Sequence, residues 1–330
     1  MKISVLIPTY NSAKTIEATL NSVLAQTHPL HEILIMDDGS TDNTVQLLNQ
    51  YVPRVTVLQQ RNQGVAQARN VLCERATGDL LAFLDHDDIW HPKYIAAQGR
   101  RFSEHPDGVA FFTGHDDFYG YGGYNWNSSN DEMADSVEKI QPVKFIQRYH
   151  KAIGPFASMS FCCIPKHVFN ELGSEPFCKK VSGVDDFYLF HTLTLLGPIW
   201  LSSQALVAYR ITPGAQSASL LKLVEKAVMA LELLESRFQN HPDFQLKKAF
   251  YSVYAAQRRE YGRVLMGTGQ SKLARQQLWI SMSHSYRLTS LMKSLVLLFL
   301  TRVPNWIQPR WPSEWKASHS EPREEFKLLL

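Results

Sequence analysis

Residues 82–90 read AFLDHDDIW, and two further leucines, Leu80 and Leu81, precede them. The apolar run 80–84 predicts a buried strand, so three carboxylates follow directly at its C-terminal end. In open α/β sheets this end of the strands is where ligands bind. Carboxylates this close repel one another unless a cation shares them, and Mg²⁺ or Mn²⁺, which prefer oxygen ligands, are the natural partners. The alternative is a solvated acidic turn that caps a helix predicted to start near Pro92.

Strand and helix patterns alternate four times before this acidic stretch. The strands are predicted at 3–7, 32–36, 55–58 and 80–84, with a helix pattern in each interval. This alternation with short connections predicts a parallel, doubly wound α/β sheet. No Gly-x-Gly-x-x-Gly follows the first strand, which disfavours a dinucleotide site. Polar residues follow three of the strands and are expected to meet at one edge of the sheet: Thr9-Tyr10-Asn11, Asp37-Asp38 and Asp85-His86-Asp87-Asp88.

Four short motifs resemble those of the family 2 glycosyltransferases, which have the GT-A fold. They are PTYN at 8–11, MDDGSTD at 36–42, NQG at 62–64 with Ala68-Arg69-Asn70, and FLDHDD at 83–88. Each motif alone is modest, but four in the right order and spacing make the resemblance specific. It implies an α/β, Rossmann-like, mostly parallel sheet flanked by helices, in a GT-A domain spanning residues 1–215. Residues 1–110 would form the nucleotide-sugar half and residues 111–215 the acceptor half.

The resemblance implies a nucleotide pocket formed by the first three motifs. Pro8 and Tyr10 would line it, with Tyr10 stacked on the base of a nucleotide-sugar donor. Asp38 would accept a hydrogen bond from the base. Arg69 would lie near the donor phosphates or order the acidic residues.

The resemblance also assigns the acidic cluster to a metal. Asp87 would bind Mn²⁺ or Mg²⁺ bridging the donor diphosphate, and Asp85 would contribute to metal or ribose binding. The metal would neutralise charge on the departing nucleoside diphosphate. Asp88 ranks lower as a ligand. A zinc site at His86 and His91 is disfavoured because carboxylate-rich clusters prefer hard cations.

A second acidic pair, Asp185-Asp186, lies where the family carries Gly-Glu-Asp before a helix, so Asp185 stands in the place of the Glu. In inverting members this pair holds the general base that takes the acceptor hydroxyl's proton. Asp186 is the predicted base and Asp185 the second candidate; an acidic first turn favoured by the helix dipole is the alternative. The segment 209–217 resembles the family's closing segment, in which Arg210 would cover the donor diphosphate and Thr212 replaces a common His.

Residues 216–330 are predicted to form a helical C-terminal extension, with helices at 220–238, 244–266 and 271–283. These helices could pack on the catalytic domain, dock a partner or mediate self-association. The apolar segment 288–300 is too short to span a bilayer. With its basic flanks and the tryptophans that follow, the region 288–315 suits either a helix in a membrane interface or a buried helix.

Composition narrows the class of protein. The chain has 330 residues with 45% hydrophobic and 20% charged residues, as in an ordinary folded protein, and a net charge of +3 that gives no footprint for nucleic acid. The N-terminus lacks signal-peptide features, which predicts a cytoplasmic protein, with peripheral contact at the inner face of the membrane left open. No cysteine pair has a Cys-x-x-Cys spacing, so reduced core thiols are expected at Cys73, Cys162, Cys163 and Cys178.

The sequence therefore predicts an inverting, metal-dependent glycosyltransferase. It would move a sugar from a nucleotide-diphosphate donor, with UDP favoured, to a hydroxyl of a glycan or lipid-linked acceptor. One rival is a catalytically silent nucleotide-sugar-binding or assembly protein, to which the changes at Asp185 and Thr212 would point. A sugar nucleotidyltransferase is disfavoured because its Gly-rich basic loop is missing after Ile7.

Overall fold

The computed structural model describes residues 1–126, 135–150, 157–211 and 220–301. Within these ranges, nine strands form a single sheet in the order β3-β2-β1-β4-β8-β6-β9-β5, with β7 also paired to β9. The strands are β1 (Ile3–Thr9), β2 (Glu32–Asp37), β3 (Thr56–Gln59), β4 (Leu80–Phe83), β5 (Ile89–Trp90), β6 (Ala110–Tyr119), β7 (Val137–Ile140), β8 (Cys162–Pro165) and β9 (Ile199–Ile211). The α/β class is thereby confirmed.

Helices connect and cover the strands. In the α/β part they are α1 (Ile16–Leu24), α2 (Thr44–Asn49), α3 (Val65–Arg75), α4 (Tyr94–Glu104), α5 (Pro142–Tyr149), α6 (Lys166–Leu172) and α7 (Asp185–Leu193). The C-terminal helices are α8 (Leu220–Gln239), α9 (Phe244–Gly267), α10 (Ser271–Ser283) and α11 (Leu288–Leu300). All four predicted C-terminal helices are thus present.

The first four strands run parallel, as predicted. β1 pairs with β2 and β4, and β2 pairs with β3, all in parallel register. Every residue of β1 and β4 is buried, because helices cover both faces of this part of the sheet. The carboxyl ends of β1, β2 and β4 therefore meet at one edge, which is where their polar loops follow.

The second half of the sheet is mixed. β8 runs antiparallel to both β4 and β6, whereas β6 and β9 are parallel. β6 is ten residues long and includes residues 115–117. The two-residue strand β5 pairs with β9 directly after the acidic cluster. This pairing ties residues 85–88 to the second half of the molecule.

The C-terminal helices pack on the α/β part. Ile146 of α5 shares an apolar cluster with residues of α8 and α9, among them Leu231 and Phe250. Val181 and Val184, near the start of α7, pack with Ala230 of α8. The predicted domain boundary at residue 215 falls in the stretch 212–219, outside the described residues, and stays a prediction.

Two sequence expectations concern membranes and thiols. None of the helices in the described ranges is long and apolar enough to cross a bilayer. All four cysteines are free thiols; Cys73, Cys162 and Cys163 are buried and Cys178 is half-buried.

Candidate functional site

A pocket of about 870 Å³ lies at the carboxyl edge of β1, β2 and β4. It is lined by loops after these strands, by the start of α7 and by the C-terminal helices. Eight of the nine predicted site residues line it, and Arg210 does not: Pro8, Tyr10, Asp38, Arg69, Asp85, Asp87, Asp185 and Asp186. The structure therefore brings together residues that are up to about 180 positions apart in the chain.

A cross-linked turn holds Tyr10 at the pocket. The next residue, Asn11, has φ of 50°, a left-handed conformation that Asn tolerates better than most residues. Its side-chain oxygen accepts the Thr41 N–H (2.8 Å), and its own N–H donates to Ser40 Oγ (2.9 Å). The loops after β1 and β2 are thereby joined, and Tyr10 is left 41% exposed beside the pocket. An exposed ring there is free to stack on a planar ligand.

Asp38 fastens a third loop to this edge. Its Oδ1 accepts hydrogen bonds from Gln60 Nε2 (2.7 Å) and Gln63 N (2.8 Å), and its Oδ2 accepts one from Gly64 N (2.7 Å). A carboxylate has about four acceptor positions, so one on Oδ2 is left for a ligand. Gly64 itself has φ of 88°, and a Cβ there would come within 2.8 Å of Ser182 Oγ. Glycine thus lets this loop approach the turn before α7.

Arg69 joins the two acidic regions. Its guanidinium donates to Asp185 Oδ2 at 2.7 Å and to Asp85 Oδ1 at 2.6 Å, and the residue is only 6% exposed. Burial opposes its charge, but the two carboxylates outweigh burial and raise the pKa of Arg69. Of the two roles that the resemblance implied, Arg69 has the contacts of the second, ordering the acids.

The loop 85–88 is held from both sides. Thr19 Oγ1 donates to the carbonyl of Asp88 (2.9 Å), and Ser160 Oγ accepts the Asp85 N–H (3.0 Å). Trp90, fully buried and stacked on Tyr94 with ring centroids 4.1 Å apart, follows directly. The acidic loop is therefore a fixed feature of the sheet edge rather than a solvated turn.

This loop carries more negative charge than its neighbours balance. Burial raises the pKa of Asp87 against the attraction of His86, and Asp85 adds to the rise. Burial, with Asp87 and Asp85, also raises the pKa of Asp88 well above its usual range. Asp88 Oδ1 accepts the backbone N–H of Arg210 (2.9 Å). The Asp87 carboxylate, by contrast, accepts no hydrogen bond from another residue within the described ranges.

A divalent cation would fit this charge. Asp87 and Asp85 are carboxylates on one short loop, the oxygen donors that Mg²⁺ and Mn²⁺ prefer. No group of three His, Cys, Asp or Glu side chains in the described part of the chain forms a preformed metal site. Mg²⁺ is usually held by one or two carboxylates together with substrate phosphates, so the donor set suits a metal that arrives with a diphosphate.

The two acids of α7 have different surroundings. Asp185 is 1% exposed and accepts the Gly183 N–H (2.8 Å) as well as the Arg69 guanidinium. Asp186 accepts only the Phe187 N–H (2.7 Å) among the described residues. Burial and the neighbouring Asp185 raise the pKa of Asp186 to about 6, although Arg69 opposes this. Asp186 is thus a carboxylate in the pocket that no cationic side chain in the described ranges contacts directly.

Arg210 lies behind the acidic loop instead of in the pocket. Its Nε donates to the carbonyl of Asp87 (2.6 Å), and its two terminal nitrogens donate to the carbonyls of Gly120 and Gly122. The guanidinium also stacks on Phe118, 4.3 Å from the ring centroid. In this structure Arg210 therefore supports the backbone of the loop, and its contact with a donor diphosphate stays a prediction. Thr212 and the rest of the predicted closing segment lie outside the described residues.

Sequence reasoning missed the contribution of the C-terminal helices to the pocket. Four aliphatic residues of α8 and two polar residues of α9 line it: Leu220, Leu223, Val224, Ala227, Gln257 and Glu260. The α8 residues recur at i, i+3, i+4 and i+7, a spacing that predicts a packing face and does not by itself indicate a site. Tyr149 and Tyr209 also line the pocket, and burial raises the pKa of both phenols.

Comparisons with known proteins agree with this geometry. The sequence model of Glycosyl transferase family 2 matches residues 4–173, just over half of the chain. An uncharacterized glycosyltransferase of Nostoc sp., alr2836, is 49% identical over 96 residues, which are 28% of this chain and 30% of the relative. The Escherichia coli UDP-Glc:α-D-GlcNAc-diphosphoundecaprenol β-1,3-glucosyltransferase WfgD is 42% identical over 90 residues, which are 27% of this chain and 36% of the relative.

The chain thus spans about a third of the length of these two curated relatives. Among solved structures, S. aureus TarS 1–349 in complex with UDP-GlcNAc is similar with a TM-score of 0.63. The likeness covers 91% of this chain and 89% of that chain at 16% sequence identity, and it shows the fold.

Proposed function

The chain belongs to glycosyl transferase family 2, and on that premise we propose that it transfers a sugar from a UDP-sugar to a hydroxyl group of an acceptor, with inversion at the sugar carbon. The observation that carries this proposal is the pairing of two carboxylates in one pocket. Asp87 lies in a cluster whose charge calls for a cation, whereas Asp186 has a raised pKa and no direct cation partner among the described residues. These are the two groups that such a transfer needs.

Tyr10 and Asp38 would bind the nucleotide. The exposed ring of Tyr10 offers a stacking face, and the remaining acceptor position on Asp38 Oδ2 matches an N–H on the base. The choice of UDP is supported by WfgD, named for UDP-Glc, and by the UDP-GlcNAc complex of TarS.

Asp186 would act as the general base. It takes the proton from the acceptor hydroxyl as that oxygen attacks the anomeric carbon. The bond from this carbon to the diphosphate oxygen breaks on the opposite face, and UDP leaves. A pKa of about 6 keeps Asp186 mostly ionised at neutral pH while leaving it more basic than an ordinary Asp. Arg69 holds the neighbouring Asp185 in place.

Asp87, with Asp85, would hold Mn²⁺ or Mg²⁺. A metal bound there supplies Lewis-acid stabilisation of the charge on the departing diphosphate. Arg210 and Thr19 would keep the loop in place, since both bond to its backbone carbonyls.

The acceptor side of the proposal includes a membrane. α11 carries an exposed apolar stripe of Leu288, Met292, Val296 and Phe299, and Lys293 lies on the same helix. Such a helix suits an interface with anionic lipid, so the enzyme would work in the cytoplasm at the inner face of a membrane. The remainder of the predicted contact region, 302–315, lies outside the described residues.

Donor hydrolysis tests the proposal. We expect purified protein to release UDP from one of a panel of UDP-, GDP- and dTDP-sugars, with Mn²⁺ or Mg²⁺ and not with EDTA. Asp87→Ala should abolish the metal-dependent release, whereas Glu74→Ala, an exposed acid on α3, is the matched control.

Two outcomes would contradict the proposal. Tight donor binding without turnover, even with glycan and lipid-linked acceptors supplied, would indicate a silent binding protein. No binding of any nucleotide sugar would reject a donor site altogether.

A further inference from the structure

The first turns of α8 form part of the pocket wall. Leu223, Val224 and Ala227 line the pocket together with Asp186 and Tyr149. Leu223 is half-buried, and the other two α8 residues are less than 10% exposed. We call Leu220, Leu223, Val224 and Ala227 the α8 wall.

The α8 wall is continuous with the residues that flank the proposed base. Leu223 packs in the same apolar cluster as Val184 and Phe187, the residues two before and one after Asp186 in the chain. Lys226 of α8 donates from its Nζ to the carbonyl of Ser182, which fixes the helix to the turn before α7. An acceptor hydroxyl that reaches Asp186 therefore brings the rest of the acceptor against aliphatic side chains.

Polar ligands gain little from such a surface. The donor's base, ribose and diphosphate match the polar side chains of Tyr10, Asp38 and Asp87, which line the same pocket. Aliphatic side chains gain free energy when they cover apolar ligand surface, at roughly 25 cal/mol per Å². A free glycan offers mainly hydroxyls, whereas an acceptor carried on a lipid offers a chain next to its sugar.

We propose that the α8 wall binds the apolar chain of a lipid-linked acceptor while the acceptor's sugar hydroxyl reaches Asp186. This inference rests on the proposed function and narrows it, because it selects a lipid-linked acceptor over a free glycan. It also gives the C-terminal helices a part in acceptor selection, separate from any contact of α11 with a membrane.

Two soluble glycosides test the assignment. Octyl and methyl N-acetyl-β-D-glucosaminide carry the same sugar and differ only in the alkyl chain. Their dissociation constants are measured by calorimetry on the full chain saturated with UDP, with the octyl compound below its critical micelle concentration. We expect the octyl glycoside to bind wild type at least tenfold more tightly, since burial of a few methylenes suffices for that ratio.

Variants of α8 locate the binding. Leu223→Ser should weaken octyl glycoside binding about tenfold and leave the dissociation constants of UDP and of the methyl glycoside unchanged. Val224→Thr keeps the side-chain shape and should weaken octyl glycoside binding as well, but by less. If circular dichroism shows that Leu223→Ser is not folded, Val224→Thr tests whether α8 binds the alkyl chain. Met229→Ser is the control, because Met229 is an exposed residue of α8 outside the pocket.

The outcomes separate this inference from the proposed function. Absence of UDP binding by wild type would reject the proposed function and the inference with it. UDP binding with equal affinity for the two glycosides, or with no octyl glycoside binding, would overturn the inference alone. The inference alone would also be overturned if the α8 variants weakened UDP binding as much as octyl glycoside binding, because the α8 wall would then belong to the donor site.

Discussion

The acidic loop after β4 and the acidic turn at the start of α7 lie 100 residues apart and have the same internal arrangement. In each, one carboxylate is bound to Arg69: Asp85 at 2.6 Å and Asp185 at 2.7 Å. In each, a second carboxylate, Asp87 or Asp186, lines the pocket, and no cationic side chain of the described residues is bonded to it. Burial raises the pKa of both of these free carboxylates.

The difference lies in what surrounds the free carboxylate. The loop after β4 adds a third acid, Asp88, which is buried and whose pKa is raised well above its usual range by burial and by its neighbours Asp87 and Asp85. The turn of α7 has only two acids, and its free carboxylate accepts the Phe187 N–H at a helix N-terminus, where negative charge is favoured. The three acids after β4 have one bond to Arg69 among them, which suits a divalent cation. The two acids of α7 also have one such bond, which leaves Asp186 available to take a proton.

Asp186→Asn tests this division of roles most strongly. Asn keeps the shape and the hydrogen bond from Phe187 N–H but cannot accept the acceptor's proton. We expect transfer to fall by roughly 10³- to 10⁴-fold, about 4 to 5.5 kcal/mol of transition-state stabilisation, with UDP affinity unchanged. Steady-state kinetics and a UDP titration measure the two quantities.

Asp185→Asn is the comparison for that prediction. Asp185 already holds Arg69 and the Gly183 N–H, so its variant should lose stability and keep more of the activity than Asp186→Asn. A folded Asp185→Asn protein that is the less active of the two would reverse the assignment of the base.

Arg69→Met breaks the link between the two regions. It leaves Asp85 and Asp185 without their shared cation, and loss of one partner of a buried ion pair costs about 3 to 5 kcal/mol. We expect that decrease in the free energy of unfolding, measured with urea. Arg69→Lys should recover part of the lost stability, because it restores the positive charge. The recovery should be incomplete, because an ammonium lacks the planar fork that reaches both carboxylates. Arg75→Met, exposed on the same helix, is the control; equal stability of the Met variants would mean that the link does not hold the regions together.

The sequence predicts the strand ends well because their signals are local. An apolar run followed by acids, as at Leu84 and Asp85, indicates a buried strand and the loop after it without knowledge of any partner. Parallel strand order then places these loops at one edge. The helices from residue 220 onward were predicted for the same reason, since their apolar periodicity is continuous.

Contacts between residues that are distant in the chain could not be predicted from the sequence. The bridge from Arg69 to both Asp85 and Asp185 depends on how β4, α3 and α7 meet. Arg210 has the residue type for a phosphate contact, but β9 turns its side chain to the carbonyls of Asp87, Gly120 and Gly122. The α8 wall has the spacing of any packed helix. Only the meeting of α8 with the turn before α7 makes it part of a pocket.

The smallest expected effect concerns the pH dependence of stability. The pKa of Asp186 is about 6 in the folded protein and about 3.9 in an unfolded chain. Because the folded pKa is raised, the stability from the protonated carboxyl is complete below about pH 4 and is lost as pH rises through 6. Asp186→Asn avoids this loss. We expect the variant to be more stable than wild type by about 1.5 kcal/mol at pH 5 and about 3 kcal/mol at pH 8.

Urea unfolding at several pH values, without donor or metal, measures this gap, and Glu74→Gln on the exposed side of α3 is the matched control. A gap that grows with pH for Asp186→Asn alone would mean that folding holds this carboxyl against ionisation, as a base at neutral pH requires. A flat gap would show that Asp186 ionises in the folded protein as it does in the unfolded chain. The role of Asp186 as the base would then rest on its position in the pocket alone, without a pKa raised above that of an ordinary Asp.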